Sequence, residues 1–125
     1  MGRSYRERCM KVEKGDVYIV RIGKFYKIGA TRWLNSRLHS LQVGIPESIE
    51  VIARIKSNDM YRTERLFQAM FIRDDKLERG EWFNLAPADL AYIKAGSYSD
   101  EIEESIGDVE NWTRIPEIIG EMLLA

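Results

Sequence analysis

The sequence predicts an α/β fold: a small, mainly antiparallel sheet of three to four strands flanked by helices, with an acidic helical extension at the C-terminal end. Two apolar, aromatic runs, Val17-Tyr18-Ile19-Val20 and Phe25-Tyr26-Lys27-Ile28-Gly29, are joined through Gly23-Lys24 and predict a tight hairpin. Leu34, Leu38 and Leu41, and later Leu66, Phe67, Met70 and Phe71, recur at helical spacing and predict one helix before and one after a third strand. Charge then sets the end of the chain apart. Residues 96–125 hold 8 Asp/Glu against one Arg, a net of −7, whereas residues 1–95 hold 18 Lys/Arg against 12 Asp/Glu, a net of +6.

The elements follow in order. Residues 1–14 are Arg-rich and poor in apolar side chains, and read as a basic N-terminal arm. A domain is expected over 15–96 and an acidic helical tail over 97–125. Val, Ile and Tyr favour strands at 16–22 and 25–30, with Gly first in the turn between them. Thr31 is the expected N-cap of the first helix, which ends near Gly44, and Pro46 blocks its continuation. Residues 48–56 alternate, with Ile49, Val51, Ala53 and Ile55 on one side and Arg54 and Lys56 on the other. Asn58 or Asp59 is placed to cap a helix over 60–73. A polar loop over 74–80, a short aromatic strand over 81–85 and a helix over 87–95, opened by Pro87 and closed by Gly96, complete the domain. In the tail, Ile102, Ile106, Val109 and Trp112 share one helical face, and Pro116 can open a last helix carrying Ile118, Ile119, Met122 and Leu123. Such stripes pack on their own domain, on a second copy of the chain or on a protein partner.

Composition excludes several function classes. No apolar run approaches the ~20 residues of a membrane span, so no membrane association is expected. The basic start is followed by no apolar stretch and is not patterned as a secretory signal. Cys9 is the only cysteine and His39 the only histidine. Disulfides within the chain and zinc sites built from cysteines or several histidines are thereby excluded, and a divalent cation must be held by oxygen, as magnesium is. Cysteine usage suits a cytoplasmic protein. The basic body suits a polyanion partner, although scattered charge of this kind also serves solubility alone.

Five short motifs stand in a definite order: Val17-Tyr18, Tyr26-Lys27-Ile28-Gly29, Arg37-Leu38, Glu64-Arg65-Leu66 and Gly80-Glu81-Trp82-Phe83. Together, over about residues 15–95, they resemble the GIY-YIG nuclease superfamily, and within it the phage-type subgroup that includes the meiotically up-regulated gene proteins. The resemblance implies metal-dependent hydrolysis of phosphodiester bonds in nucleic acid, with DNA as the expected substrate and a phage, mobile-element or repair setting. It implies that Tyr18 assists in deprotonating a water, that Arg37 contacts the phosphate and that Glu64 holds one Mg2+ or Mn2+ ion. Gly29 closes the second motif and lets another group approach the strand closely.

The residue chemistry adds conditions. A phenol with an ordinary pKa of about 10 is a base at neutral pH only beside positive charge, which Lys27 on the adjacent strand is expected to supply. Lys27 stands where the superfamily usually has a second Tyr, and strand alternation puts Tyr26 on the other face. Phe67 stands where the subgroup often has a His. Nucleic-acid contacts are expected from Arg32 and Trp33 at the start of the first helix, Arg54 and Lys56 on the third strand, and Arg62 and Arg65 on the second helix. Two other readings use the same residues. Lys27 and Phe67 suit a nucleic-acid-binding module that has lost turnover, and the −7 segment suits an interaction or inhibitor protein acting through its tail.

Overall fold

A computed structural model describes residues 12–109 and the backbone of residues 120 and 121. The order of elements is β1 (Gly15–Ile22), β2 (Phe25–Thr31), α1 (Leu34–Gln42), β3 (Glu50–Ser57), α2 (Met60–Arg73), β4 (Leu77–Arg79), β5 (Trp82–Phe83), α3 (Pro87–Ala95), α4 (Asp100–Ile106) and β6 (Gly120–Glu121). All strands belong to one antiparallel sheet in the order β4-β5-β2-β1-β3-β6.

β1 and β2 form as their alternation predicts, but β3 does not: its pairing with β1 shifts between Ile19 and Val20, so Ala53 and Ile55 enter one core with Ile52 while Ile49 and Val51 enter the other, and the four do not share a side. Gly23, at φ 63°, supplies the left-handed first position of the hairpin turn, and Asp16↔Thr31 through Ile22↔Phe25 are in register. β1 pairs on both edges, with β2 and β3, and a core covers each of its faces. Val17 and Ile19 join Tyr26, Ile28, Phe67, Phe71 and Ile93 in a core under α2, α3 and α4. Tyr18, Val20 and Ile22 join Leu34, Leu38 and Val51 in a smaller core under α1. Period two along β1 thus sends alternate residues to different cores.

Four further expectations change. The sheet is wider than three to four strands: β4 lies within the expected polar loop, and β6 adds a sixth strand. β4 is wholly exposed and β6 is two residues long, so neither leaves an apolar period in the sequence. Residues 120 and 121, expected in a final helix, are extended and pair with Glu50 and Val51, while Trp112 and Pro116 lie outside the described residues. Thr31 does not cap α1. It closes β2 opposite Asp16, its hydroxyl accepts from the Trp33 N–H at 3.0 Å, and Trp33 holds the N-cap position. Asp59 occupies the N-cap of α2, but its side chain makes no cap bond, and the Ser57 hydroxyl accepts from the Asp59 N–H at 2.9 Å.

Packing continues past Gly96, where the tail was expected to begin. Tyr98, Ile102, Ile106 and Val109 enter the larger core, and the Phe67 ring meets Tyr98 edge to face at 5.1 Å. Phe67 is therefore a core residue, with no polar contact to offer. A buried hydroxyl chain ties α4 down: Ser57 Oγ and Thr63 Oγ1 are 2.8 Å apart, and Thr63 Oγ1 and Ser105 Oγ 2.6 Å. Thr63→Val keeps the volume and deletes the middle hydroxyl. A loss of about 1–3 kcal/mol in urea unfolding is expected, and unchanged stability would show that the chain of hydroxyls contributes nothing.

Candidate active site

The site begins where β2 has an open edge. β5 is two residues long and on β2 pairs only with Tyr26 and Lys27, which leaves the next carbonyl of β2, on Ile28, without a partner on β5. Gln68 of α2 donates to that carbonyl at 3.0 Å and reaches Glu64 Oε2 at 3.5 Å. One flank of α2 is thereby fixed at the β2 edge with Glu64 on it. Gln68 carries no motif of its own. Its only signal in the sequence is its place four residues after Glu64, on the same helical flank.

Tyr18 reaches this point from the other side of the edge. It is paired with Gly29 on β2 and Arg54 on β3, is 1 % exposed, and lays its ring across Gly29. A Cβ on Gly29 would stand 2.3 Å from both Cζ and the hydroxyl of Tyr18. The second motif therefore ends in Gly because the first motif's ring occupies the space of a side chain. Burial pushes the Tyr18 phenol above its ordinary pKa, the Arg37 charge opposes this, and the charges of Glu64 and Glu81 add to it. Arg37 and Glu64, far apart in sequence and on opposite faces of the sheet, thus act on one hydroxyl.

Arg37 lies on the exposed face of α1. Lys27 is on the same sheet face as Tyr18, two residues from Gly29, and Tyr26 is in the opposite core, as alternation predicts. The Lys27 ammonium lies 3.0 Å from Glu81 and 5.8 Å from the centre of the Trp82 ring. The positive charge that acts on Tyr18 comes from Arg37, while Lys27 is turned to Glu81. Tyr61, one turn before Glu64, is a further phenol near this cluster. Burial and the Glu13 carboxylate raise its pKa, its hydroxyl is hydrogen-bonded to Glu13, and Glu13 pairs with Arg32 at 3.3 Å.

Because the Tyr18 pKa is raised on folding, its contribution to stability is complete below the ordinary pKa of about 10 and is lost as pH rises through the higher folded value. Wild-type stability should therefore fall more steeply than that of Tyr18→Phe across this alkaline range. Urea unfolding of both at several alkaline pH values checks this, and parallel curves would contradict it.

The cationic residues divide into two groups. Arg32, Trp33 and Arg54 line two adjoining cavities of about 220 and 240 Å3, which extend to Lys14 and to the first turn of α1. Trp33 is 68 % exposed with the Arg32 guanidinium 5.4 Å from its ring centre. Arg54 pairs with Asp16 at 3.1 Å, and Lys56, two residues on, shares its sheet face. Arg62 lies apart from this group and reaches Glu104 of α4 at 3.6 Å. Helical steps of about 100° place Arg65 beyond Tyr61 on the Glu64 flank.

Among the described residues no group of three or more His, Cys, Asp or Glu gathers, and no helix is long and apolar enough to cross a membrane. Residues 10–106 match the family model described as the T5orf172 domain. No curated protein and no solved structure matches the chain.

Proposed function

The chain belongs to the T5orf172 domain family, a GIY-YIG-like fold with a nuclease-like, nucleic-acid-related function, and from that premise we propose that it is a metal-dependent endonuclease acting on DNA. The observation that carries the reading is the Tyr18 ring held over Gly29, with the charges of Arg37 and Glu64 both felt at its hydroxyl and Gln68 fixing the Glu64 flank of α2 at the open edge of β2. Hydrolysis of a phosphodiester needs an oriented water, charge on the phosphoryl oxygens and help for the leaving oxygen. Arg37 is exposed and cationic, and meets the phosphate. Tyr18 keeps its proton at neutral pH, so it orients the attacking water and relays a proton rather than acting as a standing base.

One carboxylate, aimed by an amide, fits a Mg2+ or Mn2+ ion that keeps most of its waters and takes its other ligands from substrate phosphates. Glu64 would hold it, and the ion would supply Lewis-acid stabilisation of the phosphoryl and leaving oxygens. The cluster of Arg32, Trp33, Arg54 and Lys56 lies on the α1 face of the sheet, where it suits a nucleic-acid backbone running past the site.

Supercoiled plasmid, linear duplex and single-stranded RNA incubated with the full chain test the reading. Nicking of DNA in Mg2+ or Mn2+ but not in EDTA is expected, and Arg37→Ala should slow it by about 10²-fold or more. A second reading, a binding module without turnover, is favoured by the engagement of Lys27 with Glu81. Salt-sensitive DNA binding with no cleavage under either cation would establish it in place of the first.

A further inference from the structure

Resting on the reading of the chain as a nucleic-acid enzyme, we propose that the cavity of about 460 Å3 beside the β1–β2 hairpin is a nucleobase subsite, with Trp82 and Phe25 as its stacking surfaces. The cavity is lined by Ile22, Phe25, Glu78, Arg79 and Trp82. Its position follows from the register. Lys27 on β2 pairs with Trp82 on β5, and Trp82 pairs with Arg79 on β4, so a cation, an aromatic and a second cation stand in one row across three strands. Val20 continues that row onto β1, which puts it on the Tyr18 face of the sheet. Phe25 lies four residues from Gly29 along β2, or about 13 Å. A strand whose phosphate sits at Tyr18 and Arg37 therefore passes the cavity within a nucleotide or two.

The lining suits a base better than a lipid or an apolar peptide. Both rings are already flanked by ammonium groups, Lys24 at 5.3 Å from the Phe25 centre and Lys27 at 5.8 Å from the Trp82 centre. Aromatic faces interleaved with cations are the general means of holding single-stranded nucleic acid, the rings for bases and the cations for phosphates. The two polar side chains at the rim, Glu78 and Arg79, are an acceptor and a donor, which is what the edge of a base presents in return. Lys27, which pairs with Glu81 at 3.0 Å, stands between Phe25 and Gly29 along β2, and so between the cavity and the candidate site. The base must be unstacked to enter. The substrate at this point is thus single-stranded, frayed or distorted.

The test is fluorescence anisotropy of the full chain in EDTA, where cleavage is blocked. The probes are a labelled oligothymidylate of about twelve nucleotides and an abasic strand of equal length and charge. The wild type should bind the thymidylate about tenfold more tightly than the abasic strand. Trp82→Leu should bring that ratio close to one. Arg79→Ala, an exposed change that leaves the core intact, should lower it about threefold. Arg37→Ala should weaken both probes alike. Equal binding of the two probes by the wild type, or a ratio that survives both Trp82→Leu and Arg79→Ala, overturns the subsite and leaves the cleavage assay to judge the enzyme. Binding of neither probe overturns the subsite together with the nucleic-acid reading.

Discussion

Glu64→Gln is expected to remove metal-dependent DNA cleavage, by about 10³-fold or more, while leaving the fold and the affinity for DNA in EDTA nearly unchanged. The side chain is half-buried on the flank of α2 rather than in the core, and Gln keeps its shape and its contact with Gln68. Its stability cost should lie within about 0.5 kcal/mol, as for other substitutions outside the packed core. Cleavage is another matter, because Glu64 is the carboxylate that Gln68 holds at the open edge of β2. The same variant has a second, independent readout. The Glu64 charge raises the pKa of both Tyr18 and Tyr61, so in a Tyr61→Phe background its removal should move the Tyr18 titration downward, and Arg37→Ala should move it upward. Opposite shifts, followed by phenolate absorbance, place both residues at one hydroxyl whether or not any cleavage occurs. Full activity of Glu64→Gln with an unmoved titration would remove Glu64 from the site.

Much of this arrangement is legible in the chain, and for physical reasons. β1 and β2 carry Val, Ile and Tyr at strand periods, and Gly23 is the residue a two-residue hairpin wants first, so their register and facing follow almost without tertiary information, whereas the irregularity that splits β3 between two cores leaves no mark in its alternation. Tyr18, Lys27 and Gly29 can be put on one face from that register alone. What lies beyond reach is set by distant partners. The Lys27 ammonium is directed by Glu81, 54 residues away, and nothing near Lys27 announces it. Gln68 and Tyr61 become part of the site only once α2 is laid along the β2 edge, an arrangement made by the shortness of β5. Short pairings are silent for the same reason: β4 and β6 are stabilised by the strands they meet, not by a pattern of their own.

Thr31 shows the other way a local signal fails. Thr before a helical stripe is a sound cap signal, but Thr31 is the last residue paired with β1 and is buried there. The strand claims the residue because its pairing is already fixed by the hairpin, and the helix starts later, at Leu34. The capping chemistry survives in altered form, since the hydroxyl still accepts a backbone N–H, that of Trp33. Local propensity therefore named the right residue and the wrong donor.

Gly29→Ala should be the most damaging small substitution in the molecule. In general Ala is favoured over Gly inside a strand by about 0.5–1 kcal/mol, and Gly29 has no positive φ that a side chain would strain. The contact decides against it. A new Cβ would lie 2.3 Å from Tyr18 Cζ and from its hydroxyl, and 2.7 Å from Cε2. Those atoms belong to a rigid ring that is 1 % exposed and has Leu34, Leu38 and Val51 in its core, so it has little room to turn away. Gly15 is a useful contrast, because there the nearest atom is the flexible Met60 sulfur, which can move. Overpacking of this kind costs about 1–3 kcal/mol and sometimes more, so a fall of roughly 10 °C in the midpoint of thermal unfolding is expected for Gly29→Ala. Tyr18→Phe should give no relief, since the clash with Cζ remains. Tyr18→Ala deletes the ring and is costly by itself, about 3–5 kcal/mol by analogy with other large aromatic truncations. The added cost of Gly29→Ala in the Tyr18→Ala background should nevertheless be close to zero. That non-additivity in a double-mutant cycle measures the ring-on-glycine contact directly. Additive costs would mean that the ring does not lie over Gly29, and the site would then lose the surface on which its phenol is held.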